Sequence, residues 1–228
     1  LGELVRAEGV AREAIEQGEI PDDGRLWRAW HHAALLDLGR SPAEALASLP
    51  RDPRAIPGGA ASSYRRLLEE LAAHGAFRLN CGGAELEAAE GKRWSRDAFF
   101  LGGVPLDQGK AAEGKGTDGD HAFHVTERSF VATAPFRPGY SIPLPPGRYR
   151  VLLHFIERTH HWPGQRIFDV LLEGRAVLEG YDPLRIGFAV PDIRSFEVPV
   201  MDGTLELDFV AHWDHPRIAA IEVEAIGE

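Results

Sequence analysis

The sequence predicts a mainly β protein: a jelly-roll β-sandwich with an N-terminal α-helical extension. Three observations carry this expectation. From Phe77 onward, short apolar runs recur about every ten residues, with Gly and Pro between them, the grammar of packed antiparallel sheets. Leu205, Leu207 and Phe209 alternate with Glu206 and Asp208, the period of a half-buried strand. Before Phe77 the apolar residues recur at helical spacing instead. The expected division is a helical segment over 1–76 and a sandwich over 77–228.

The helices follow in order. Leu4, Val5, Ala11, Ala14 and Ile15 mark a first one, ended by Gly18 and Pro21. Leu26, Trp27, Trp30, Ala34 and Leu38 mark a second, ended by Gly39. Ser41 is an N-cap for a short third helix from Pro42 to Leu49, with Glu44 at the capping-box position. A fourth runs from Ala61 to His74 and closes at Gly75. The stretch AALLDLGRSPAEALASL (33–49) resembles one helix–turn–helix of a tetratricopeptide repeat. One repeat buries too little apolar surface to stand alone, so this segment is expected to dock on its neighbour or on other domains of a longer parent protein.

The predicted strands are Phe77–Asn80, Ala98–Leu101, His124–Phe130, Tyr140–Leu144, Tyr149–Glu157, Gln165–Leu172, Ala176–Glu179, Arg194–Val200, Thr204–His212 and Ile218–Ile226. Tyr149–Ile156 is apolar on both parities except for Arg150 and His154, as for a central strand. Pro145-Pro146-Gly147 and Glu173-Gly174 read as turns.

Composition narrows the function classes. A net charge of −10 without a Lys/Arg run opposes nucleic-acid binding as the main task. No apolar run of the ~18 residues a membrane-spanning helix needs is present. The start, Leu1-Gly2-Glu3, lacks the basic and apolar regions of a signal peptide and lacks an initiator Met, so the chain reads as a piece of a longer protein. Abundant Ala, Arg, Gly and Leu with few Lys point to a bacterial source. The single cysteine, Cys81, allows no intrachain disulfide and reads as a buried structural thiol.

Six stretches, in order, carry a family resemblance: LNCGG (79–83), GKRWSRD (91–97), VTER (125–128), PGRYRVLLHFIE (146–157), GQRIFDVLLEG (164–174) and HPRIAAIEV (215–223). Together they resemble the malectin domain over residues 77–226. The resemblance implies a non-catalytic, lectin-like carbohydrate-binding module, with an oligosaccharide or glycan as partner and no cofactor. It also implies an extracytoplasmic or secreted setting. In glucose-binding members, loops at one end of the sandwich form a cleft where aromatic rings stack on sugar and an aspartate binds hydroxyls. Such a design suits a pyranose, which has a C–H face for stacking and a hydroxyl rim for charge-assisted hydrogen bonds.

Carried over position by position, the resemblance places the aspartate at Asp214 and the first aromatic at Trp94. The two neighbouring aromatics of the hairpin tip fall at Thr159 and His160, with Trp162 just beyond. Arg158, His161 and Trp213 flank these positions. The remaining aromatic position falls in Gly103–Asp120, which contains none. The expected ligand is a neutral, glucose-containing oligosaccharide. The alternative is a protein–protein interaction module that keeps the fold without sugar binding.

Rival chemistries have weaker support. Zinc needs three or four converging ligands, and no His-x-His or HExxH spacing exists, so no metal site is expected. His160, His212 and Asp214 would approach one another if their loops met. Thr117–Asp120 lacks the acidic spacing of a calcium loop. Asp97, Glu127, Glu157 and Asp214 are the carboxylates a glycosidase would draw on, but nothing in the sequence fixes a pair. Glu127 and Arg128, inside one strand, read as a structural ion pair.

Overall fold

In a computed structural model, the structure describes residues 41–44, 60–88, 91–107, 125–131 and 137–227. The predicted helices over 4–18 and 23–39, the rest of 42–49, and the repeat-like stretch apart from 41–44 lie outside the described residues. Within 41–44 the capping box is formed. Ser41 N–H donates to Glu44 Oε2 at 2.7 Å, and Glu44 N–H returns to Ser41 Oγ at 3.4 Å.

Helix α1 spans Ala60–His74. Tyr64, Leu67, Leu68 and Leu71 fall on one face and are buried in the same apolar cluster as the sandwich interior. Gly75 stops the helix at φ +65°, and its N–H donates to the Leu71 carbonyl at 2.9 Å. That left-handed C-cap favours glycine, because a Cβ there meets its own carbonyl.

The sandwich is mainly β, as expected. One six-stranded sheet contains β1 (Ala76–Asn80), β2 (Leu86–Glu87), β3 (Arg93–Arg96), β8 (Gly147–Phe155), β11 (Asp192–Val200) and β14 (Ala220–Ile226), in the order β11-β8-β14-β1-β3-β2. A five-stranded sheet contains β4 (Phe100–Leu101), β7 (Gly139–Pro143), β9 (Ile167–Leu172), β10 (Arg175–Tyr181) and β12 (Thr204–Trp213), in the order β10-β9-β12-β7-β4. A small third sheet joins β5 (Val104–Asp107), β6 (Thr126–Ser129) and β13 (Arg217–Ile218). One pairing departs from the antiparallel expectation: β1 runs parallel to β3, Leu79 opposite Ser95.

Strand periodicity builds the core. On β8, Tyr149, Val151, Leu153 and Phe155 are buried, and on β12 so are Leu205, Leu207 and Phe209. Phe209 stacks on Phe130 at 4.8 Å between centroids and meets Phe168 edge-on at 6.0 Å. Each such ring contributes roughly 1.5–3 kcal/mol through burial. Cys81 is a free, fully buried thiol at the end of β1.

Glu127 and Arg128 do not pair with each other. Successive strand residues face opposite sides, so Arg128 reaches Asp97 at 2.6 Å while Glu127 faces Arg217 at 3.8 Å. Asp97 also accepts from the Gly82 N–H and the Tyr140 hydroxyl. It ties β3, β6 and β7 together from inside.

Candidate functional site

The site lies where β8 leaves the six-stranded sheet and the chain returns as β9. Two carboxylates and an arginine organise it. Glu157 is 1 % exposed and lies just beyond β8. Its Oε1 accepts from the Thr159 and His160 amides at 2.7 and 3.0 Å, and its Oε2 from Arg166 Nε at 2.5 Å. One side chain thus folds the first half of the tip around itself. Gln165 fixes the second half, its Oε1 accepting from the His161 and Trp162 amides at 3.1 and 2.9 Å. The Gly164 N–H donates to Asp182 at 2.7 Å, which ties the tip to the segment after β10.

Arg166 is 1 % exposed. Besides Glu157 it donates to the His215 carbonyl and pairs with Asp214 Oδ2 at 2.9 Å. It therefore links the hairpin tip to the loop after β12. Asp214 Oδ2 also bonds His160 Nε2 at 2.7 Å. Asp214 sits at φ +55°, a turn conformation that Asp tolerates better than most residues.

A second arginine continues the network. Arg217 Nη1 donates to Thr159 Oγ1 at 2.6 Å and faces Glu127, which is fully buried. Half-buried Arg158 adds positive charge near Glu127. Burial pushes the Glu127 carboxyl up to about 7, with the Glu157 charge adding and the arginine charges opposing. Burial also acts to raise Glu157 and Asp214. For Glu157 the Arg166 contact and two amides outweigh it, and for Asp214 the bonds from His160 and the His215 amide do so with the Arg166 charge. Both carboxyls are held below the ordinary range.

Exposed aromatics border this polar centre. Trp162 is 73 % exposed and Trp213 65 %. Trp213 is the last residue of β12 and follows a register shift between Ala211 and Trp213. Such a bulge re-aims the side chain that follows it.

The residues expected from sequence are thus partly brought together. Thr159, His160 and Asp214 converge, and Arg158, His161, Trp162 and Trp213 lie in the same tip and loop. Trp94, expected as a stacking platform, does not join them. It is 2 % exposed on β3, edge-on to His154 at 5.6 Å and packed with Ala88 and Ala220 on the outer face of the six-stranded sheet. A ring held inside a sheet face offers no stacking surface. His212 also stays apart, pairing with Asp169 at 2.8 Å instead of meeting His160 and Asp214.

Arg166, Arg217, Glu127 and Glu157 organise the site, yet sequence reasoning gave none of them that role. Arg166 lies within the GQRIFDV stretch, which was a usable signal. Among the described residues, no group of three or more His, Cys, Asp or Glu is arranged to hold a metal ion, and no helix is long and apolar enough to cross a membrane. Thr117–Asp120 and most of the aromatic-free 103–120 loop lie outside the described residues.

Comparison with known proteins agrees with this fold. No curated protein matches the sequence. The chain is similar in fold to the ANX2 ectodomain from Arabidopsis thaliana, with a TM-score of 0.58, 17 % identity, and coverage of 67 % of this chain and 50 % of that one. The ANX1 ectodomain from the same plant gives a TM-score of 0.58 at 16 % identity, over 67 % of this chain and 48 % of that one. A Bacteroides uniformis β-glucuronidase gives 0.56 at 16 % identity, over 67 % of this chain and 18 % of the enzyme. The chain thus spans at most half the length of these proteins. The malectin domain family model matches residues 76–224, and on that match the chain belongs to the malectin domain family.

Proposed function

We propose that this chain is a non-catalytic carbohydrate-binding module whose ligand is a neutral, glucose-containing oligosaccharide. The observation that carries the reading is the exposure of Trp162 and Trp213 beside the Asp214–His160 pair. Sugar rings stack on the indoles, and the pair and Thr159 meet the hydroxyl rim. The buried network beneath holds these groups before ligand arrives, which lowers the ordering cost of binding. With few contacts on an open surface, the affinity is roughly millimolar to micromolar.

Glycan-array screening followed by calorimetry tests this. Binding that weakens about fivefold on Trp213→Ala is the expected result, the loss of one stacking contact. Folded protein that binds no saccharide at millimolar concentration overturns the reading. It would favour the second one, a protein-interaction module, which draws on the burial of Trp94 and on Asp214 being engaged by Arg166 and His160.

A further inference from the structure

The segment between β10 and β11 presents an aromatic surface that the sequence did not single out. It begins with a 3-10 turn at Pro183–Arg185, capped by Asp182, whose Oδ1 accepts from the Leu184 N–H at 3.0 Å. It then displays Ile186, Phe188 and Val190, which are 44, 42 and 43 % exposed. Of the ten exposed large apolar side chains among the described residues, six come from Trp162, Trp213 and the span 186–193. Where exposed apolar side chains of this size adjoin one another they mark a binding surface.

The display is held in place. Ala189 N–H donates to the Glu157 carbonyl at 2.7 Å. Gly187 and Ala189, on either side of Phe188, have φ of +144° and +55°. A left-handed alanine is uncommon, and a folded protein keeps one where the surroundings impose it, often at a ligand site. The imposed result is an exposed ring in van der Waals contact with the hairpin tip. Phe188 stacks on His161 with centroids 4.4 Å apart and planes 30° apart. His160, one residue earlier, bonds Asp214. Consecutive Cα atoms are about 3.8 Å apart, so the Phe188 surface and the Asp214 centre flank one short tip.

We infer that the His161–Phe188 pair is a second sugar subsite, so the ligand is an oligosaccharide engaging at least two rings. This rests on the carbohydrate-binding reading of the Trp213–Asp214 centre. One ring lies at Trp213 and Asp214. The next packs its C–H face on the aromatic pair on the other side of the tip, with Trp162 at its edge. Asp182 is the hinge of the arrangement, holding both Gly164 of the tip and the 3-10 turn that leads to Phe188.

Calorimetric titration with glucose, maltose, cellobiose and their trisaccharides separates the outcomes. For wild type, affinity should rise about fivefold from glucose to the better disaccharide, the gain of one stacked ring. Phe188→Ala should remove that gain while leaving glucose affinity and the melting temperature unchanged, and Phe188→Tyr should restore it. A gain that survives Phe188→Ala, or wild-type affinity that does not rise with chain length, overturns the subsite and leaves carbohydrate binding standing. A wild-type protein that binds no saccharide on the array overturns both.

Discussion

Replacing Arg166 by methionine, a side chain of similar length without charge, isolates the contribution of the buried network. Arg166 and Glu157 have side-chain exposures of 1 % and 0 %, so water cannot take over when one partner goes. Removing one member of such a pair costs about 3–5 kcal/mol, because the other charge stays buried and unpaired. Asp214, at 29 % exposure, is partly solvated and adds little to this. For a chain of this size each kcal/mol moves Tm by about 2–4 °C, so a fall of roughly 10 °C or more is expected. Urea unfolding at pH 7, followed by tryptophan fluorescence and far-UV circular dichroism, measures it directly. The double variant Arg166→Met/Glu157→Gln should recover more than half of the loss, since neither position of the pair then carries a charge and the glutamine oxygen still accepts from the Thr159 and His160 amides. A single-variant loss below about 1 kcal/mol, the range of surface ion pairs, would refute the reasoning.

Two further predictions concern stability and the roles of the tryptophans. Glu127 has a folded-state pKa of about 7, above its ordinary value, so its deprotonation opposes folding as pH rises between about 4.5 and 7. Glu127→Gln should therefore flatten the fall in stability from pH 5 to 8, by up to about 3 kcal/mol, in urea titrations across that range. An unchanged pH profile would show that Glu127 is not the titrating group. Trp94→Ala should lower stability by about 3–5 kcal/mol and leave saccharide affinity of the folded fraction unchanged, whereas Trp213→Ala should do the reverse.

Much of the fold was legible where periodicity had room to act. α1 with its Gly75 stop, and the strands β8 and β12, are long enough for three or more repeats of their period. The strands β2, β3 and β5 have two to four residues each, too few for alternation to declare itself, and they read as loop. That explains the error at Trp94. Residue type alone does not separate a stacking platform from a ring inside a sheet, and only membership of β3 decides it. At the site, the meeting of His160 with Asp214 followed from bringing two loops to one end. The role of Arg166 did not, because a buried arginine and a surface one look alike in sequence until their partners are placed. The Phe188 surface was hidden for a related reason. Its conformation depends on a backbone bond to the Glu157 carbonyl, which no local pattern encodes.

The helix before the sandwich bears on where the folding unit starts. Family matching begins at residue 76, but among the described residues the continuous apolar core already includes Tyr64 and extends to Val223. A chain cut at the family border would lose four buried side chains from one wall of its interior and leave their counterparts wet. The unit that inheritance preserves as a recognisable pattern is therefore shorter, by at least the helix α1, than the unit that excludes water.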